Sequence, residues 1–293
     1  MLEIAIGICA YNEEQAIAKS IRSIFTQTLN EVSIKEVIVV ASGCTDDTVK
    51  IVQELMKEYP ILKLIIQEKR EGKNSAINAY LDAKTADLVV MLNADNVFAT
   101  DDSLEQLVLP FKDDSVGITG GRPMPVNSPK DRIGYAVNMM WLMHHNLALI
   151  YPKIGEIIAF RDIGTRLRTD QQSDEDTLRM RLEEAGYTCL YTPRCIIYNR
   201  GPETEEDFKK QRIRVNIGEV NMKNLYDYDI PTWNHRLLLK SFLKSAWALG
   251  FHPFKIISTV RLETYCRKTA IKHVKENKDA MACWERVDST KKL

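Results

Sequence analysis

The sequence predicts an α/β fold, with a mostly parallel sheet covered by helices on both faces, and three observations carry that reading. Short runs rich in Val, Ile and Leu recur at 4–9, 36–41, 61–66 and 87–92. Helical patterns at 14–29, 46–59 and 73–84 separate them, and strands alternating with helices are what a parallel sheet requires. The apolar runs are also nearly continuous, as expected of strands buried on both sides.

The first run opens the chain. Glu3 interrupts the apolar stretch in MLEIAIGIC, so the start reads as a strand rather than a signal sequence. Beyond the fourth strand, 116–121 predicts another strand, broken by a turn at Gly120-Gly121-Arg122-Pro123 that would bring backbone close to a ligand. A helix follows at 131–150, carrying Trp141, His144 and His145. The two histidines have no HxH or HExxH spacing, so they read as packing groups. Residues 155–160 predict a strand, 174–185 a helix stopped by Gly186, and 187–193 a strand. A long helix runs from Glu203 to about Tyr226, closed by Pro231, and the tail from 232 is helical and amphipathic, ending in Lys291-Lys292.

Bulk properties exclude several classes. A chain of 293 residues suffices for one large domain, or one with an appendage, and needs no disulfides. Lys+Arg and Asp+Glu are 40 each, so no global field favours nucleic acid. Cys9, Cys44, Cys189, Cys195, Cys266 and Cys283 form no CxxC pair, which reads as reduced thiols of a cytoplasmic protein. No uncharged run reaches the roughly 18–20 residues that span a bilayer. The best stretch, Leu237 to Val260, is broken by Lys240, Lys244, His252, Pro253 and Lys255.

In open parallel sheets ligands gather beyond the carboxyl ends of the strands, and the polar clusters of this chain fall there. They are Ala10-Tyr11-Asn12-Glu13, Ser42-Gly43-Cys44-Thr45-Asp46-Asp47, Lys69-Arg70-Glu71-Gly72-Lys73 and Asn93-Ala94-Asp95-Asn96. Four in succession predict one pocket rim. Asp95 suits a hard divalent cation completed by phosphates, although a hydrogen-bonded turn explains the same residues. Ser173-Asp174-Glu175-Asp176 reads either as helix-capping acids or as the source of a general base. Gln211 and Arg214, three apart on one helix, can reach a phosphate together or form a solvated surface.

In order, AYNEE, SGCTDDT, REGKNSAIN, NADN, GEIIAFR, SDED before a helix ending in AGY, and PETEEDFKKQRIRV resemble the family 2 glycosyltransferases of GT-A fold, over about residues 4–220. The downstream part is similar to membrane-associated and synthase-like members. The resemblance implies an inverting transfer from a nucleotide diphosphate sugar, UDP before GDP, with Mg2+ or Mn2+. The acceptor would be a glycan, a glycolipid or a polyprenyl phosphate. It divides the chain into a catalytic domain at 1–230, with its donor half at about 1–120 and its acceptor half at 121–230, and a helical region at 231–293.

By the same resemblance Ala10, Tyr11, Asn12 and Glu13 line the nucleoside pocket. Ser42 stands near the base, and Arg70, Gly72 and Lys73 border base and phosphates. Asn93, Ala94 and Asp95 match a DxD motif with Asp95 as metal ligand, and Gln211 and Arg214 match QxxRW. Gly155, Glu156 and Arg161 match an acceptor-side segment. The sequence departs from the pattern at Asn93, at Ser42 (where an acid is usual) and at Val215 (where Trp is usual). Counting eleven back from Gly186 reaches Glu175; one step along a helix turns a side chain by about 100°. Glu175 is therefore the expected base, with Asp174 beside it and Asp176 as rival.

A non-catalytic nucleotide-sugar or glycan-binding protein is the alternative from another class. A sugar-phosphate nucleotidyltransferase would need a Gly-rich, Arg-containing loop after the first strand, and AYNEE has none. Trp233 to Arg267 mixes basic and apolar residues, which fits a helix on a membrane surface or a helical subdomain on the core. Trp284, near Ser289-Thr290-Lys291, resembles a tail of membrane-linked relatives. The expected location is cytoplasmic, or peripheral on the cytoplasmic face of a membrane.

Overall fold

The computed structural model describes residues 1–170, 174–228, 230, 232, 234–276 and 287–291. Ser173, Pro231, Trp233, Cys283, Trp284 and Lys292 lie outside the described residues. The strands are Leu2–Ala10 (β1), Val32–Ser42 (β2), Leu62–Gln67 (β3), Leu88–Asn93 (β4), Val97–Phe98 (β5), Val116–Pro125 (β6), Ile157–Arg161 (β7) and Thr188–Asn199 (β8). The helices are Ile17–Phe25 (α1), Thr48–Glu58 (α2), Lys73–Ala83 (α3), Ser103–Val108 (α4), Arg132–Ala148 (α5), Asp174–Glu184 (α6), Glu205–Tyr226 (α7), His235–Ala248 (α8) and Pro253–Glu276 (α9).

The strands form one sheet in the order β3-β2-β1-β4-β7-β6-β8-β5. Its first half is parallel, as the βα alternation predicts. Beyond β4 it becomes mixed: β7 runs antiparallel to β4 and β6, β5 antiparallel to β8, and β6 parallel to β8. Both faces are buried. Ile4, Ile6 and Ile8 of β1 pack against α1, α2 and α4, while Ala5 joins Val89 and Ile158 under α3 and α6. This burial is why the strands read as continuous apolar runs.

One expected turn is a strand. β6 runs through Gly120-Gly121 to Pro125, and a register shift against β8 between Gly120 and Arg122 absorbs the irregularity. A Cβ at Gly120 would lie 2.4 Å from Ile154 Cγ2, and one at Gly121 would lie 2.6 Å from Ile157 Cγ2. The two glycines admit neighbouring side chains rather than turning the backbone towards a ligand. Gly7 has a similar purpose: a Cβ there would lie 2.5 Å from the Tyr80 ring. That ring is fully buried, and its hydroxyl donates to Ala5 O at 2.7 Å, so β1 sets the seat of α3.

The segment after 230 packs on the rest, as the helical-subdomain reading expects. Leu262 of α9 joins Ile133, Ala136, Val137 and Phe208. Ala246 of α8 and Ile256 of α9 join Tyr135 and Met139 of α5. Large apolar side chains nonetheless stay exposed on these helices and their connection, including Leu239, Leu243, Trp247 (84% exposed), Phe251 and Phe254 (88%). Among the described residues no helix is long and apolar enough to cross a membrane.

Candidate active site

The carboxyl ends of β1, β2 and β4 open into a cleft of 860 Å³ whose far wall is built by α5, α7, α8 and α9. Of the residues expected on the donor side, Ala10, Tyr11, Glu13, Ser42, Arg70, Gly72, Lys73, Asn93, Ala94 and Asp95 line it, together with Gly155, Glu156, Asp174, Glu175, Asp176, Gln211 and Arg214. Seventeen residues or more separate each cluster from the next; the βα topology is what gathers them.

The part of the cleft at Tyr11 and Ser42 is held by contacts between the loops after β1, β2 and β3. The Arg70 guanidinium lies 4.1 Å from the centre of the Tyr11 ring, a cation–π contact that fixes both. Ser42 ties the loop after β3 to β2: its hydroxyl donates to Lys69 O at 3.4 Å and accepts from Glu71 N at 3.3 Å. Gly43 has φ +64, and a Cβ there would lie 2.4 Å from Arg70 N, so the loop's approach to β2 demands glycine.

Two expected site residues are placed elsewhere. Asn12 does not line the cleft. Its backbone is left-handed (φ 54), and its amide turns outward to accept from Thr45 N at 2.8 Å and donate to Thr45 Oγ1 at 3.2 Å. Arg161 does not line the cleft either. Because β7 is antiparallel to β4, Arg161 pairs with Leu88 at the amino end of β4, away from the cleft. There it donates to Val116 O (2.9 Å) and Phe111 O (2.8 Å).

At the end of β4, Asn93 donates to Glu156 Oε2 at 2.8 Å and Asn96 to the same oxygen at 3.2 Å. Asn93 and Asn96 thus hold the Glu156 side chain against the end of β4, beside Asp95. Burial, and then the charge of Asp95, push the Glu156 carboxyl up. Its backbone is left-handed (φ 62), a strained conformation for a residue with a side chain.

Among the described residues no group of three or more His, Cys, Asp and Glu gathers as a metal cage. Asp95 is a hard oxygen donor at the strand end. That donor set suits a Mg2+-like ion, which keeps several waters and is held by one or two carboxylates plus substrate phosphates. The residues therefore fit a metal that arrives with a diphosphate.

Lys291 stands on the same carboxylate. Its ammonium lies 2.8 Å from Asp95 Oδ2 and 2.6 Å from Glu13 Oε1. Burial opposes its charge, but Asp95 and Glu13 overrule that and raise its pKa. The sequence marks this lysine only as part of a tail, and nothing local ties it to Asp95, 196 residues away.

The acidic start of α6 faces Lys73, the first residue of α3. Lys73 Nζ is 2.7 Å from Asp174 Oδ2 and 3.3 Å from Glu175 Oε1. Burial, then the neighbouring Glu175 charge, push Asp174 up. Burial works against the Glu175 charge too, but Lys73 overrules it and holds that carboxyl below the usual range. Asp176 is pushed up to about 6, chiefly by burial and against the pull of Lys153.

On the far wall, Gln211 and Arg214 reach the cleft from α7, and Val215 is 37% exposed. Arg212, beside them, is engaged: its guanidinium donates twice to Glu263 of α9, each at 2.9 Å. Lys153 is similarly paired with Glu219 at 3.0 Å. Both pairs line the cleft and were not legible as site residues, since each joins elements distant in sequence. His144 is half-buried beside Trp141 (ring centroids 5.5 Å apart), its ring nitrogens are buried, and desolvation lowers its pKa to about 3, in keeping with a packing role.

A sheet that is parallel up to β4, the strand that leads to Asp95, and mixed beyond it, with a cleft across the join, is the GT-A arrangement of nucleotide-sugar enzymes. Solved structures share it. A mannosyltransferase, PcManGT from Pyrobaculum calidifontis, in complex with GDP-Man and Mn2+, matches with TM-score 0.66 and 21% identity over 94% of this chain and 87% of that one. Glucosyl-3-phosphoglycerate synthase from Mycobacterium tuberculosis, with Mn2+, UDP and phosphoglyceric acid, matches with TM-score 0.51 and 18% identity over 73% and 76%. The model of glycosyl transferase family 2 matches residues 5–184, and the chain belongs to that family. Poly-beta-1,6-N-acetyl-D-glucosamine synthase of Staphylococcus epidermidis is 25% identical over 224 residues, which are 72% of this chain and 53% of that protein. The chain thus spans about half the length of the curated relatives it matches.

Proposed function

We propose that this chain transfers a sugar from a nucleotide diphosphate sugar to an acceptor hydroxyl by a single displacement that inverts the anomeric configuration. The observation that carries the reading is the meeting, in one cleft, of three groups. They are the Asp95 carboxylate, the acidic start of α6, and Gln211 with Arg214 of α7.

The donor diphosphate lies towards Asp95, with its nucleoside against Tyr11 and Arg70. Mg2+ or Mn2+ bound there would supply Lewis-acid neutralisation of the diphosphate. Arg214 stabilises the charge that develops on the departing nucleoside diphosphate. Glu175, kept ionised by Lys73, accepts the proton of the attacking hydroxyl. A second reading gives the base role to Asp176, since its raised pKa of about 6 makes it the stronger base near neutral pH.

Neighbouring structures carry GDP-Man and UDP, so both bases are tested, with UDP first on the family resemblance. A glycan or lipid-linked acceptor fits the apolar far wall, where Met140, Trp141, Leu238 and Phe242 line the cleft. Peripheral contact with a membrane is supported by Trp247 and Phe254, exposed on helices that also carry Lys240, Lys244 and Lys255, and by Phe251, exposed on the connection between those helices.

The test is release of nucleoside diphosphate from a panel of UDP- and GDP-sugars with Mn2+, with and without candidate acceptors. A donor that is consumed with metal and spared with chelator supports the reading. No turnover of any donor, with donor binding intact, would favour the non-catalytic alternative.

A further inference from the structure

The short 3-10 turn Asp288–Thr290 is docked on the start of α7. Ser289 Oγ donates to Asp207 Oδ2 at 2.5 Å and accepts from Glu203 N at 3.4 Å. Val287 and Thr290 are buried, and Thr290 Oγ1 donates to Val287 O at 2.8 Å. This anchorage points Lys291 across the cleft to the opposite wall, where it joins the loop after β1 (Glu13) to the loop after β4 (Asp95). Its side chain is 18% exposed, those of Glu13 and Asp95 7% and 19%, so water screens this cation poorly.

A divalent ion held by the Asp95 carboxylate would come close to that ammonium, which lies 2.8 Å from Asp95 Oδ2. Like charges at such range in a half-buried site repel strongly. A diphosphate brings several negative oxygens, enough to accept both cations. We propose that Lys291 is a built-in cation of the donor site, which excludes a bare divalent ion from Asp95 and yields the carboxylate only when metal and nucleoside diphosphate arrive together. The inference rests on the donor-site reading above for the identity of the anion. It assigns to Lys291 the coupling between metal and nucleotide binding, which is a reciprocal free energy.

The experiment is a titration of Mn2+ into the full chain, read as free Mn2+ by electron paramagnetic resonance, with and without UDP or GDP. Wild-type protein is expected to bind Mn2+ at least tenfold more tightly with the nucleotide than without it. Lys291→Met should bind Mn2+ at least tenfold more tightly than wild type without nucleotide, Lys291→Arg should not, and Asp95→Asn added to Lys291→Met should abolish the gain. Thermal unfolding of each variant verifies that it is folded. Equal nucleotide-free affinity in wild type and a folded Lys291→Met overturns the inference, because Asp95 then serves metal and lysine together. A gain that survives Asp95→Asn also overturns it. These readouts need no turnover: a Lys291→Met gain in a protein that transfers no sugar sustains the seat and sinks the activity, and metal-dependent transfer without the gain does the reverse.

Discussion

Glu175 and Asp176 are adjacent on α6, and replacing each by its amide separates them with little change of shape. Glu175→Gln is expected to lower kcat roughly 10²–10⁴-fold, the usual worth of a general base, or about 3–5 kcal/mol of transition-state stabilisation. Asp176→Asn should stay within about tenfold of wild type. The pH dependence gives an independent reading, because the two carboxyls are shifted in opposite directions. A base must be ionised to act, so activity falls as pH drops through its pKa. Lys73 holds Glu175 below the usual range, so kcat/KM should show no acidic limb from this group between pH 5 and 8. A base at Asp176, pushed up to about 6, would instead lose activity below pH 6 and be about tenfold slower at pH 5. The assay is nucleoside diphosphate release under kcat/KM conditions, with unfolding followed at each pH. An acidic limb near pH 6 that vanishes in Asp176→Asn, with Glu175→Gln still active, refutes the assignment to Glu175.

Other consequences can be checked separately. Arg214→Met should lower kcat by roughly 10²–10³ while leaving Mn2+ binding without nucleotide unchanged; full activity would remove Arg214 from the departing diphosphate. Glu263→Ala strands the Arg212 guanidinium, whose side chain is 16% exposed like that of its partner, and should cost about 3–5 kcal/mol in urea unfolding. A loss below about 1 kcal/mol would mean the pair behaves as a surface pair. Trp247→Ser with Phe254→Ser should lower partition onto vesicles of anionic lipid about a hundredfold, from about 1.5 kcal/mol or more per aromatic side chain. Equal flotation of wild type and double variant would end the membrane reading.

The parallel half of the sheet was legible because β1, β2 and β4 are buried on both faces and write that burial as nearly unbroken apolar runs, while the edge strand β3 keeps its run although Ile66 is exposed. Strand direction is not written that way, so the antiparallel entry of β7 went unseen, and with it the fate of Arg161. The two-residue β5 is too short to show any period. Gly120-Gly121 read as a turn because a glycine that admits a neighbour looks the same as one that bends the chain. Most of the cleft was legible, since open parallel sheets put ligand chemistry after their strands. Groups that meet only through tertiary packing were not: the Asn93–Glu156 bond, the Arg212–Glu263 pair and the seat of Lys291 join residues that share no local pattern.

The contact of Tyr80 with Gly7 has a consequence for how this chain can vary. α3 carries Tyr80 in its core face and Lys73 at its first turn, so whatever displaces the ring moves the lysine that faces Asp174 and Glu175. A methyl group at position 7 would collide with that ring, although position 7 lies inside the sheet and touches no substrate. Gly7→Ala alone is thus expected to behave as an active-site lesion, while Gly7→Ala combined with a smaller residue at position 80 regains room. The two positions should be epistatic: in a random library, changes at residue 7 would survive selection mainly in company with changes at residue 80, and single-site scans would score both as immutable.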